Sequence, residues 1–144
     1  MIILASDHAG FNLKEKLKKY LTQKGISFID VGANSHILED DYPDYAIKGT
    51  ELVLLQDENK GIFVCGSGIG MSIAANKIKG IRAANLSSVK FAKLAVEHNH
   101  INVLTLSGRF LSFFKAKRVV RAFLYSKTQD GRHLRRVEKL EKHC

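Results

Sequence analysis

The sequence predicts an α/β protein built on a parallel β-sheet with helices on both faces. Five short apolar runs recur along the chain, and helical patterns fill the stretches between most of them. Hydrophobic residues make up 45% of the 144 residues, enough to fill one core of ordinary domain size. No repeat, linker or low-complexity stretch interrupts the pattern, so residues 1–144 are expected to form a single domain.

The elements follow in order. Ile2–Ala5 reads as a strand and residues 10–24 as an amphipathic helix. Leu13, Leu17, Tyr20 and Leu21 share one face of that helix, and Lys14, Lys18 and Lys19 lie off it. Gly25 suits the helix stop. Ser27–Val31 is a second strand ended by Gly32, and residues 33–42 form a polar, acidic loop. Pro43, the only proline, fits the first turn of a helix running to about Gln56. Gly61–Cys65 is a buried strand, followed by a glycine turn and a short helix, Ile69–Lys77. Ile81–Asn85 and Asn102–Leu106 are strands, with a helix over 88–97 between them. Helices over 110–125 and 133–142 close the chain. On the last, Leu134, Val137 and Leu140 form a sparse apolar stripe suited to packing on a partner subunit.

Bulk properties narrow the classes. No apolar run approaches a membrane span, and the N-terminus lacks the basic start and length of a signal peptide. A cytoplasmic protein without a membrane partner is expected. Cys65 and Cys144 lie far apart, and no Cys-x-x-Cys pair exists, so neither a disulfide framework nor a structural zinc site is expected. The net charge is +9, concentrated at the end of the chain: residues 109–144 hold 11 Lys/Arg against 3 Asp/Glu. An anionic ligand fits this balance, as does a solvated basic helix face. A nucleic-acid partner is not expected, because no base-reading motif or aromatic platform accompanies the charge.

In an open parallel sheet, ligands bind beyond the carboxyl ends of the strands. That rule selects Asp7-His8, Gly32–Tyr42, Cys65–Gly70, Ser87-Ser88 and Ser107–Arg109. Cys65-Gly66-Ser67-Gly68-Ile69-Gly70-Met71 leaves a buried strand and opens a helix, where glycines let backbone N–H groups approach a ligand. It lacks the spacing of a dinucleotide fingerprint and the Lys-Ser/Thr of a Walker loop; a purely structural turn has the same composition. Cys65 faces a helix N-terminus, a setting that favours a thiolate able to act as nucleophile or base, although a buried inert cysteine fits the same place. Asp7-His8 suits proton shuttling and anion binding, or a helix cap beside an incidental histidine. Glu97-His98-Asn99-His100 closes a helix just before a strand. Residues two apart on a helix diverge, so His98 reads as an acid/base with Asn99 as hydrogen-bonding partner, or as a polar cap, and no metal is expected. Arg109, Arg132, His133 and Arg136 form the candidate anion clamp; Arg132 and Arg136, four apart, can share a face and grip a phosphate bidentately.

Together these segments resemble the ribose-5-phosphate isomerase B family, which also holds galactose-6-phosphate isomerase subunits. The resemblance runs over nearly the whole chain: Ser6-Asp7-His8-Ala9-Gly10, Asp41-Tyr42-Pro43-Asp44-Tyr45-Ala46, Cys65 to Lys77, Gly80-Ile81-Arg82-Ala83, His98-Asn99, Gly108-Arg109, and Gly131-Arg132-His133 with Arg136-Val137. It implies a Rossmann-like three-layer α/β/α sandwich with strand order 2-1-3-5-4. It also implies a homodimer, often paired into a tetramer, with active sites at the subunit interface. The implied activity is interconversion of ribose 5-phosphate and ribulose 5-phosphate through an enediolate, in the pentose phosphate pathway and without a cofactor. Galactose or allose 6-phosphate is the alternative substrate.

By the same resemblance, Cys65 is the catalytic base and His98 assists ring opening. Asp7, His8, Tyr42, Asn99, Arg109, Arg132 and Arg136 bind substrate with the loop Gly66, Ser67, Gly68, Ile69 and Gly70. The loop N–H groups and the Ser67 hydroxyl are the expected oxyanion cradle, and Asp7 exchanges hydroxyl protons. The chain departs from the family pattern at His100-Ile101, at Ser107, at Asp130 and in the loop 34–40.

Overall fold

The computed structural model describes residues 1–37 and 39–143. Leu38 of the acidic loop and Cys144 lie outside the described residues, and with Cys144 the question of a disulfide. The elements are β1 (Ile2–Ser6), α1 (Phe11–Gln23), β2 (Phe28–Asp30), α2 (Tyr42–Val53), β3 (Lys60–Cys65) and α3 (Ile69–Ala75). They continue with β4 (Ala83–Asn85), α4 (Val89–Asn99), β5 (Val103–Ser107), α5 (Phe113–Tyr125) and α6 (Arg132–Glu141). The five strands form one sheet in the order β2-β1-β3-β5-β4, every neighbouring pair parallel. This is the predicted architecture and strand order. Among the described residues no helix is long and apolar enough to cross a membrane.

Alternation along the strands divides the core in two. Leu4, Ile62, Val64, Leu104 and Leu106 face α1, α4 and α5, whereas Ile3, Ala5, Phe63, Cys65 and Val103 face α2 and α3. β3 lies at the centre, with Ile62, Phe63 and Val64 wholly buried. α6 packs outside this sandwich, on α4, burying His133 and Val137 and leaving Leu134 and Leu140 exposed.

Two helix bounds differ most from the sequence reading, each for a local reason. α2 stops at Val53 because the Asn59 side chain donates a 2.9 Å hydrogen bond to the Leu52 carbonyl, closing the helix end. α5 starts at Phe113 because Ser112 is extended and its hydroxyl accepts the Lys115 N–H.

Lys14 departs from the reading most. Expected off the apolar face, it is fully buried, its Nζ lying 2.6 Å from both Asp30 carboxylate oxygens. Lys18 reaches the same carboxylate at 2.8 Å, and the Gly32 N–H donates to it at 3.1 Å. Burial alone would raise the Asp30 pKa; the Lys14 and Lys18 hydrogen bonds outweigh it and hold the carboxyl below its ordinary range. Removing one partner of such a pair strands the other, so Asp30→Asn is expected to cost about 3 kcal/mol in urea denaturation. Because the folded-state pKa is depressed, this stabilisation is complete above about pH 4 and disappears as pH falls through the lowered value. A wild type and Asp30→Asn variant differing equally at pH 7 and pH 2.5 would contradict this.

Candidate functional site

The carboxyl edge of the sheet gathers the ends of β1, β3 and β5 around a small cleft. Its volume is about 220 Å³, and Asp7, His8, Tyr42, Cys65, Gly66, Ser67, Gly70, Arg109 and Phe110 line it. The thiol of Cys65 is free and only 3% exposed. Its Sγ accepts the Gly68 N–H at 3.2 Å, a bond that stabilises negative charge on sulfur. The loop must turn back on itself to make this bond, and Gly68 does so at φ 81°. A Cβ there would lie 2.4 Å from Asn85 Oδ1 and 2.8 Å from the Leu106 carbonyl carbon.

The other loop residues are held from the sides. Ser107 Oγ donates to the Gly66 carbonyl at 2.7 Å, and the N–H groups of Gly108 and Arg109 donate to the Cys65 and Gly66 carbonyls. The β5 turn is thereby stitched to the glycine loop and lays the Arg109 guanidinium along Gly66, where a Cβ would sit 3.2 Å from Cζ. Tyr42 places its ring over Gly70, 2.6 Å from where a Cβ would be. Asn85 donates to the Ser67 carbonyl at 3.2 Å.

Two expected cradle donors have other partners. The Gly68 N–H is bound to Cys65 Sγ, and the Ile69 N–H donates to Ser67 Oγ at 3.2 Å. Neither Gly68 nor Ile69 lines the cleft; Gly68 is buried beneath it and the Ile69 side chain faces outward, 56% exposed.

Asp7 and His8 form the opposite wall. Asp7 is 6% exposed and accepts the Gly10 N–H at 2.8 Å. Burial pushes its pKa up, and the Gly10 N–H and the neighbouring His8 only partly offset this. His8 is bound by Asp40, its ring Nδ1 and its backbone N–H both meeting Asp40 Oδ1, at 2.7 and 2.8 Å. Asp40 raises the His8 pKa.

The remaining expected residues lie elsewhere. In a parallel sheet the connecting helices run back, so the C-terminal end of α4 falls at the amino edge, opposite Cys65. An 11-residue helix carries the chain roughly 16 Å back. There the His98 ring stacks on His133, centroids 4.1 Å apart and planes within 6°. Asn99 lines a separate hollow of about 360 Å³ with Arg82 and Glu141. Arg132 and Arg136 stand exposed on α6, flanking the stack. The His100 ring bonds to the Gln129 carbonyl at 2.8 Å.

His133, read from sequence as part of the anion clamp, is instead 8% exposed beneath His98. Burial, and after it the neighbouring His98, Arg132 and Arg136, push its pKa down. Its spacing was the available signal: His133 and Val137 share the buried face, Arg132 and Arg136 the exposed one. Phe110, 83% exposed at the cleft mouth, and Asp40 are not singled out by the sequence: Phe110 reads as the start of a helix that begins only at Phe113, and Asp40 lies in the loop 33–42, whose polar sequence does not mark one residue above another.

One chain thus carries two separate groups of chemistry-bearing side chains on an open α/β sheet: a thiol with an acid, an imidazole and a guanidinium at one edge, and a histidine with two arginines at the other. Fold and cleft together define a small-molecule α/β enzyme. A family model described as Ribose/Galactose Isomerase matches residues 2–140, and the chain belongs to that family.

Relatives agree along the full length. Ribose-5-phosphate isomerase B of Escherichia coli is 40% identical over 137 residues, covering 95% of this chain and 91% of that protein. The crystal structure of a ribose 5-phosphate isomerase from Thermotoga maritima superposes with a TM-score of 0.94 at 46% identity, covering 98% of this chain and 97% of that one. Ribose-5-phosphate isomerase B from Mycoplasma genitalium, solved with ribulose-5-phosphate bound, has a TM-score of 0.94 at 39% identity, covering 99% and 94%.

The glycines allow a direct test of the loop. Gly68 and Gly25 both have positive φ, but a Cβ on Gly25, at the end of α1, would meet nothing within 4 Å. Gly25→Ala is expected to cost about 1–2 kcal/mol from backbone strain alone. Gly68→Ala should cost clearly more, because the clashes add to that strain; equal losses in chemical denaturation would mean the Gly68 turn is not packed as described.

Proposed function

We propose that this chain is an aldose–ketose isomerase interconverting ribose 5-phosphate and ribulose 5-phosphate, with Cys65 as the base. The observation that carries the reading is the thiol at the floor of the cleft, its sulfur accepting the Gly68 N–H and faced by Asp7, His8 and Arg109. The Mycoplasma genitalium relative with bound ribulose-5-phosphate supports the substrate class.

The reaction moves one proton from C2 to C1 of the open-chain sugar. The Cys65 thiolate removes the C2 proton, and the C–H electron pair forms the C1–C2 double bond of an enediolate. Charge develops on the C1 oxygen, where N–H groups of the cleft-lining loop residues Gly66, Ser67 and Gly70 and the Ser67 hydroxyl stabilise it. Such a donor contributes about 3 kcal/mol of barrier lowering. Return of the proton from the thiol to C1, with transfer of a hydroxyl proton between the oxygens, completes the ketose. Asp7, whose burial makes it a weaker acid, exchanges the hydroxyl protons. No electrons leave the sugar, so the chemistry calls for no external oxidant.

Ring opening and the phosphate grip fall to the second of the two groups. His98 moves a proton between ring oxygen and anomeric hydroxyl, Asn99 holds a hydroxyl, and Arg132 and Arg136 take the phosphate with His8 or Arg109. Since one chain holds these groups at the opposite sheet edge, a second copy supplies them in a homodimer. Phe110, Ile69, Ile73, Phe91 and Leu134 are exposed apolar groups available to cover in such a pair. Two dimers can pair into a tetramer. A phosphorylated intermediate of this kind places the work in the cytoplasm.

Cys65→Ala is expected to abolish turnover of ribose 5-phosphate while leaving circular dichroism and thermal midpoint nearly unchanged; near-normal turnover would remove Cys65 as base. Assays with allose 6-phosphate and galactose 6-phosphate alongside decide the sugar. Subunit mixing tests the shared site. Cys65→Ala protein and Arg132→Ala/Arg136→Ala protein, each inactive at substrate far below KM, are unfolded together and refolded. Random pairing should restore about a quarter of wild-type activity, because each hybrid dimer holds one intact composite site. No recovery would mean each site belongs to a single chain.

A further inference from the structure

The acidic loop carries a residue that the mechanism above does not use. Asp40 lies outside the cleft lining, yet it binds the cleft residue His8 twice with one oxygen, Oδ1, taking the ring Nδ1–H at 2.7 Å and the backbone N–H at 2.8 Å. Asp40 also has a neighbour on α2: the Tyr45 hydroxyl lies near enough to favour its ionised carboxylate, and the Tyr45 ring packs against Gly32 at the end of β2. Gly32 has φ 119°, and a Cβ there would lie 2.4 Å from that ring. A chain of contacts therefore runs from β2 and α2 through Asp40 to one side chain of the cleft.

We propose that Asp40 is a positioning residue for the reaction, gripping His8 by ring and backbone together so that Nε2–H is the donor presented to the anionic end of the substrate. This rests on the reading of the cleft as a sugar-phosphate site. A carboxylate only accepts, so the 2.7 Å contact makes Nδ1 the donor to Asp40 Oδ1; it outweighs the longer approach of the Asp40 N–H to the same nitrogen, at 3.4 Å, and leaves Nε2 as the nitrogen free for a ligand. Double attachment fixes the ring plane, which a single bond on a half-exposed imidazole would not. His8 side-chain exposure is 28% and that of Asp40 18%, so the pair is shielded enough for its attraction to hold at physiological salt.

The charges around His8 favour its cationic form. Asp40 contributes most, and Asp7 and Glu39 add to it against the opposing effect of burial. Arg109 faces the same cleft from the β5 turn. Asp40 is driven the other way: burial would raise its pKa, but the His8 N–H and ring and the Tyr45 hydroxyl outweigh this and keep it ionised. With the folded-state pKa of His8 raised, its N–H donation to phosphate is complete at low pH and is lost as pH rises through the raised value.

The test is KM for ribose 5-phosphate from pH 6 to pH 9 in the wild type, Asp40→Asn and Asp40→Glu. In Asp40→Asn the alkaline rise in KM should move to lower pH, giving a KM about tenfold above wild type near pH 8 and close to it at pH 6, with kcat falling less than KM rises. Asp40→Glu should restore most of the wild-type profile. A histidine NMR titration of the same proteins reads the His8 shift directly and does not depend on activity. An active wild type whose Asp40→Asn variant shows an unshifted profile, or a KM raised equally at every pH, would overturn the role of Asp40 alone. A wild type that neither turns over ribose 5-phosphate nor binds inorganic phosphate competitively would overturn the site reading and this proposal with it.

Discussion

Every connection in this sheet is a parallel crossover, and that single constraint decides where chemistry can sit. Strands deliver their last residues to one edge; helices deliver theirs to the other. Cys65, Asp7-His8 and Ser107–Arg109 follow strands, so they converge. His98 and Asn99 end a helix, so they cannot join them within the chain. No side-chain rotation closes a gap that runs the length of the strands. The separation of these two groups is therefore a property of the topology before it is a property of any residue.

Within the cleft, the backbone does much of the electrostatic work. The Gly68 N–H reaches the sulfur only because the chain adopts positive φ there, and Asn85, Ser107 and the β5 turn fix the loop from three directions. Asp7 and His8, adjacent in sequence, have opposite tendencies. Burial makes Asp7 retain its proton longer than an exposed aspartate, and Asp40 makes His8 keep its charge. Neighbouring groups with separated proton affinities are the arrangement that acid–base chemistry calls for.

The fold was legible because each strand is a short apolar run and each helix has its own period. All five strands and all six helices fall where patterning places them, within a few residues. The cleft was legible through the rule that ligands gather at carboxyl ends. Three things were not. Lys14 reads as a surface cation, because sequence cannot show that Asp30 waits beneath it. His98 reads as an acid/base with no position fixed relative to Cys65, although its place just before β5 already marks the far edge. Asp40 sits in a loop without period or motif, and only coordinates reveal that it reaches back 32 residues to His8.

The parallel stack of His98 on His133 has one further consequence. Two imidazoles face to face at 4.1 Å tolerate one positive charge far better than two, and the guanidinium groups nearby add to the same sign. A proton on the inner ring would face the guanidinium groups of Arg132 and Arg136, so the packing of α6 on α4 favours an uncharged His133.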